Sequence, residues 1–478
     1  MEFLGAALLS LLATAAPRLE LAPCRLPDFE REARCGTYQV FENRAAGQGR
    51  KIGLRVVVIP AREKPAASDP VIFFEGGPGA SAVDSGPGIA EELAEVLRHR
   101  DLLLVDARGA GGSHPLHCPQ PEGVRGIEEA LDTFMDPAAV RRCREALEKD
   151  NDLTQYTTDA IVDDVDEVRA ALGYGKANVM GASYGTRAAL VYLRRHPESV
   201  RTVIISSVLP VDARVPMYLA PHTQAALDRV FADCAAEPAC RAAFPDPRAD
   251  LKAVLARLAK GPVKVTLSGE DGRDQTLALS ANGAVQTVRY LLYRPSGVRE
   301  IPWLLRRAAE GDFAPLGERA YAIASALATS PDGLYLSVTC AEDVAFIDRK
   351  EAERLAAGTF VGDFRLRQQI ATCAEWPVAK IPPGFFEPVR SDAPVLIFAG
   401  ENDPGTPREW AEKVAKTLPQ SRLFVIPGAT HTFYGLEGVE CLDRVTADFV
   451  NRGTAQGVDF ESCRKAIKRP PFAVKAEE

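Results

Sequence analysis

The chain has 478 residues, of which 46% are hydrophobic and 26% charged, and a formal net charge of −8. That content suffices for a large core, with room for more than one domain. The acidic balance and the lack of a long basic run exclude nucleic acid and an anionic membrane surface as expected partners.

Leu4 to Ala16 is a short apolar run ending in small residues, the pattern of a secretory signal peptide over residues 1–18. It is shorter than the roughly 20 residues a membrane span needs. The stretch before it offers Glu2 and no lysine or arginine, so a buried N-terminal helix is the competing reading. Leu21-Ala22-Pro23-Cys24 has the outline of a lipoprotein cleavage site, but proline before the cysteine opposes it. The expectation is export to the periplasm or the medium.

Strands are expected at Tyr38 to Phe41, Ile52 to Ile59, Val71 to Phe74 and Leu102 to Val105. The third runs into Glu75-Gly76-Gly77-Pro78-Gly79, where glycines around a proline allow a tight turn with unobstructed N–H groups. That turn is a candidate oxyanion hole, with the N–H of Gly77 paired to that of Tyr184; an ordinary turn is the alternative. His114-Pro115-Leu116-His117-Cys118, with Cys143, has the ligand types of a zinc site, but a disulfide accounts for both thiols.

Ala177 to Met180 reads as a buried strand and Thr186 to His196 as a helix stopped at Pro197. Between them stands Gly181-Ala182-Ser183-Tyr184-Gly185, a nucleophile-elbow pattern that holds a serine hydroxyl clear of the backbone for a base to reach. A sixth strand, Val203 to Ser206, is followed by an interval of residues 211–392, far too long for one crossover and therefore an inserted domain. It reads mainly as helices, at Thr223 to Cys234, Asp250 to Leu258, Ala284 to Leu292 and Ile301 to Ala309. Val263 to Leu267 is a short strand and Gly269 to Gly272 a turn. Glu342 and Asp343, beside Cys340, are candidate carboxylates for a substrate ammonium, with Trp376 and Tyr335 nearby; a solvated acidic turn and core aromatics are the alternatives.

The last two strands, Val395 to Phe398 and Leu423 to Ile426, lead to Asp403 and His431 just beyond their carboxyl ends. An acid followed by a base, both after the serine, is the order the elbow fold requires. There are only six histidines, and this one falls where that order demands it. The eight strands imply an α/β fold whose first pair is antiparallel and whose remainder is mostly parallel.

Ten cysteines are unusual for a reducing cytosol. They fall as sequence neighbours, Cys24 with Cys35, Cys118 with Cys143, Cys234 with Cys240, Cys340 with Cys373 and Cys441 with Cys463, and local pairing is expected.

The chain resembles the secreted branch of the proline iminopeptidase family of α/β-hydrolases, which includes tripeptidyl aminopeptidases. The matching pieces are Gly76 to Gly79, Asp106-Ala107-Arg108-Gly109-Ala110-Gly111-Gly112-Ser113, Gly181 to Thr186, Asp403 with Thr406-Pro407, and His431, in family order. Many cytosolic relatives have a histidine where this chain has Glu75. The resemblance implies an α/β-hydrolase fold with an eight-stranded, mostly parallel sheet and a mainly helical cap between the sixth and seventh strands. Residues 19–210 and 393–478 then form the hydrolase core and 211–392 the cap. It also implies Ser183 as nucleophile, His431 as base and Asp403 as orienting acid of an aminopeptidase that acts on short peptides with a free N-terminus and needs no cofactor or metal. An esterase on the same three residues is the alternative, as is a non-catalytic binding protein on this scaffold.

Overall fold

The computed structural model describes residues 19–118, 136–268, 274–327 and 333–475. The expected signal peptide and the Gly269 to Gly272 turn lie outside the described residues.

Among the described residues nine strands form one sheet: β1 (Ala22–Cys24), β2 (Ala33–Phe41), β3 (Lys51–Ile59), β4 (Val71–Phe74), β5 (Leu102–Val105), β6 (Ala177–Ala182), β7 (Val200–Ser206), β10 (Val395–Gly400) and β11 (Ser421–Ile426). Their spatial order is β1-β2-β3-β5-β4-β6-β7-β10-β11. The first three pairings are antiparallel and the rest parallel. All eight expected strands are present. The ninth, β1, is a three-residue edge strand with a central proline, too short to show alternation in sequence.

Alternation along each strand sorts side chains to two faces. On β3, Leu54, Val56 and Val58 join one core cluster while Val57 and Ile59 join the other. On β10, Val395, Ile397 and Ala399 face the first and Leu396 and Phe398 the second. Helices Thr158–Ala171 and Tyr184–Arg195 cover the first face; Gly86–Glu92 and Cys441–Arg452 cover the second. With apolar layers on both faces the strand ends are the open edges, so loops after β4, β6, β10 and β11 meet at one carboxyl end.

The interval after β7 is a cap with its own core. Helices Val215–Ala236, Pro247–Leu258, Ala281–Leu291, Ile301–Ala309 and Ala314–Leu327 pack with the hairpin β8 (Val263–Ser268) and β9 (Asp274–Leu279) around Leu227, Val230, Leu277 and Leu304. The next helix, Gly333–Glu342, instead joins the core of the first sheet face through Leu334, Leu336 and Val338. Five disulfides link the five sequence-neighbour pairs. Cys118 and Cys143 are bonded to each other, so neither is a thiolate available to zinc.

Candidate active site

Ser183 sits between β6 and the helix that opens at Tyr184, with φ 55° and ψ −123°, a conformation a non-glycine residue adopts only when its surroundings enforce it. The enforcement is visible in the flanking glycines. A Cβ on Gly185 would lie 2.0 Å from the Phe74 carbonyl oxygen, and one on Gly181 would lie 2.2 Å from that of Gly185. Only glycine lets strand, turn and helix approach this closely.

Asp403 and His431 come from the loops after β10 and β11. His431 Nε2 lies 3.0 Å from Ser183 Oγ, and its Nδ1 lies 3.0 Å from each carboxylate oxygen of Asp403. The Asp403 side chain is fully buried. Burial works against its charge, but the adjacent imidazole and the N–H and hydroxyl of Thr406 outweigh that and hold the carboxyl below its ordinary value. Gly405 N, Thr406 N and Thr406 Oγ1 donate to it at 2.8, 2.9 and 2.7 Å. Ser207 Oγ donates to the His431 carbonyl at 2.7 Å, and the Tyr293 ring of the cap stands edge-on to the imidazole at 4.9 Å. These contacts fix the position and tilt of the ring.

The glycine turn after β4 lies against the serine, since a Cβ on Gly76 would sit 3.3 Å from Ser183 Cβ. Gly77 has φ 109°, a region that favours glycine, and its N–H and that of Tyr184 have no backbone or side-chain acceptor among the described residues. Asp106, fully buried, braces this turn from behind by accepting from Ser81 Oγ at 2.7 Å, Val83 N at 3.0 Å and Gly112 N at 2.9 Å. Arg108 is buried with Asp164 in a two-pronged pair at 2.7 and 2.8 Å. In the sequence Asp106, Arg108 and Thr406 only carry the resemblance, and nothing local marks the contacts they make here. Tyr293 left no sequence signal.

Glu342 and Asp343 do not open toward a substrate. They are 0% and 2% exposed. Glu342 accepts from the Thr158 N–H and hydroxyl, both at 2.7 Å, and Asp343 pairs with the buried Arg187 at 3.0 Å. The helix Gly333–Glu342, tied by Cys340–Cys373, turns its carboxyl end inward, so both carboxylates are already engaged and are not free to receive an ammonium. Trp376 is likewise buried, donating Nε1–H to Ser337 Oγ at 3.0 Å. Tyr335 is half-buried, with its hydroxyl 3.3 Å from Gln369 Oε1.

Among the described residues no helix is long and apolar enough to cross a membrane. The chain is 26% identical to the serine protease Hip1 of Mycobacterium tuberculosis (strain ATCC 25618 / H37Rv) over a 494-residue alignment that covers 92% of this chain and 91% of that protein. It is 25% identical to the tripeptidyl aminopeptidase of Streptomyces coelicolor over 471 residues, covering 91% and 84%. A proline iminopeptidase structure from Mycobacterium smegmatis matches at 17% identity over 87% of this chain and 98% of that one, with a TM-score of 0.40. The family described as alpha/beta hydrolase fold matches residues 69–437, from β4 through the turn after His431, and the chain belongs to it.

Proposed function

We propose that this protein is an exported serine exopeptidase of the aminopeptidase type, cutting amide bonds near the free N-terminus of short peptides. The observation that carries the reading is the unbroken line from Ser183 Oγ through His431 to the buried Asp403. A serine hydroxyl becomes a competent nucleophile when a base takes its proton during attack, and an oriented imidazole backed by a carboxylate does this.

In this reading Ser183 Oγ attacks the scissile carbonyl as His431 Nε2 takes the proton. The carbonyl oxygen becomes an oxyanion facing the N–H groups of Gly77 and Tyr184. The C–N bond breaks, the leaving amine carries off the proton from His431, and an acyl-enzyme remains. Water then loses a proton to His431 and attacks the ester; its collapse returns the proton to Ser183. Asp403 keeps Nδ1–H pointed inward and stabilises the imidazolium without taking the proton itself.

The names of the relatives, a serine protease and a tripeptidyl aminopeptidase, favour peptide over ester substrates. Five disulfides and the apolar run from Leu4 to Ala16 favour export. The cap, resting on His431 through Tyr293, favours small substrates over folded protein. The test is a panel of chromogenic peptide amides and esters with free or acetylated N-termini. Strong preference for free amines in the amide series is expected. Equal rates on acetylated substrates, or cleavage of esters alone, would replace this reading with that of a general acyl hydrolase.

A further inference from the structure

Directly behind the elbow lies a buried polar cluster that the triad does not use. Thr158, Tyr184, Arg187, Glu342 and Asp343 are each between 0% and 5% exposed. Tyr184 and Arg187 are three apart on the nucleophile helix and therefore on one face of it. Glu342 and Asp343 are consecutive residues at the carboxyl end of the helix Gly333–Glu342. The first acts through Thr158, whose hydroxyl lies 2.8 Å from the Tyr184 hydroxyl and 2.7 Å from Glu342 Oε2. The second acts through Arg187, which also donates to the Ala213 carbonyl at 2.8 Å. Thr158 further opens the helix Thr158–Ala171, so its N–H offers Glu342 Oε1 the positive end of that helix.

Two carboxylates and a guanidinium taken out of water are a poor way to hold helices together, because well-packed apolar side chains of the same volume do so without the desolvation penalty. Hydrogen bonds add direction. The chain runs from the Tyr184 hydroxyl through the Thr158 hydroxyl to Glu342, so it begins on the residue whose backbone N–H is the candidate oxyanion donor. We propose that Glu342 and Asp343 are positioning residues, which through Thr158 and Arg187 hold the first turn of the nucleophile helix so that the Tyr184 N–H stays aimed at the developing oxyanion. This rests on the hydrolase reading above and adds a reason for the buried acids that an ammonium site does not supply.

Burial pushes the Glu342 carboxyl up to about 7, against the pull of Arg187 and the Thr158 donors and with repulsion from Asp343. Arg187, Asp343 and the Tyr184 phenol are the titratable groups facing it, and Arg214 lies behind Asp343. Ionisation of the wild-type enzyme near neutrality is therefore expected to reach the oxyanion donor.

The experiment compares Thr158→Val, Thr158→Ser, Tyr184→Phe and Glu342→Gln with wild type on a peptide amide, alongside affinity for a peptide boronate that forms the tetrahedral serine adduct. Thr158→Val and Glu342→Gln are expected to lower kcat about tenfold or more with KM within about twofold, since a misplaced oxyanion donor loses transition-state stabilisation alone. Boronate affinity should fall in parallel, Thr158→Ser should recover both, and Glu342→Gln should lose one ionisation from the pH profile of kcat. The Thr158→Val, Tyr184→Phe double variant should be little worse than the worse single one. If Glu342→Gln does not fold, the Thr158 and Tyr184 variants decide. Lower melting temperatures with kcat and boronate affinity unchanged would overturn the proposal and leave the cluster structural. Hydrolysis that survives Ser183→Ala would instead overturn the hydrolase reading itself.

Discussion

Ser183 contributes a hydroxyl and little packing, so Ser183→Ala is expected to remove turnover by roughly four to six orders of magnitude while leaving the melting temperature nearly unchanged. His431→Ala should behave alike, and the double variant should be scarcely worse, because the line from Oγ to Asp403 acts as a unit. Steady-state kinetics with circular dichroism checks this, and full activity in either single variant would dispose of the mechanism. These three positions were legible because each is marked by local backbone chemistry: two glycines that let strand and helix touch around Ser183, and strand ends that deliver Asp403 and His431. Glu342 and Asp343 were legible as acids worth attention, yet not in direction. Their orientation depends on how one helix docks against another far away in sequence, and no local pattern encodes that. Thr406 and Asp106 were hidden for a related reason, since a threonine or an aspartate in a loop looks the same whether it faces water or receives buried N–H groups.

At the scale of elements, β4, β5 and β10 were legible because burial on both faces makes them short continuous apolar runs, and the end of β2 because buried Tyr38 and Val40 alternate with exposed Gln39, whereas β1 carries neither signal. Beyond its last disulfide the described chain stays docked. After the helix Phe460–Ala466, bridged to Cys441, the segment crosses to the cap. Arg469 pairs with Glu237 at 2.9 Å, the Phe472 N–H reaches the same carboxylate at 3.1 Å, and Ala473 N donates to the Arg299 carbonyl at 3.0 Å. Phe472, 4% exposed, enters the cap core. The tail therefore straps cap to hydrolase core. Phe472→Ala should cost about 3 to 5 kcal/mol locally, as large-to-small changes in a packed core do. Because the ring belongs to the cap, the loss should appear as a separate early melting transition and faster proteolysis within residues 215–327, with the remainder melting as in wild type. A single transition shifted as a whole would mean that cap and core unfold together.

The whole molecule integrates opposing titrations. Glu342 goes from an ordinary 4.5 to about 7 in the folded protein, so between those values the folded state holds a proton the unfolded chain has lost. Its contribution is complete below about 4.5 and falls away as pH rises through about 7, by about 1.4 kcal/mol per pH unit. His222 runs the other way. Burial lowers it from 6.5 to about 4, so between those values the unfolded chain binds the extra proton and stability rises with pH. The two windows nearly coincide and the two slopes are equal in size, so in the wild type they largely cancel. Burial also raises Asp443 from 3.8 to about 6, which adds a second falling arm over the lower part of that range. Removing one partner should unmask the other. Glu342→Gln is expected to make the slope of unfolding free energy against pH more positive than that of wild type between pH 4.5 and 6.5, by about 1.4 kcal/mol for each unit, and His222→Gln to make it more negative by about as much over the same interval. Urea denaturation at half-unit steps of pH measures both. If the Glu342→Gln curve runs parallel to wild type, Glu342 keeps one protonation state in folded and unfolded chain alike across this range, and the pH-linked part of its proposed action on the Tyr184 N–H falls with it.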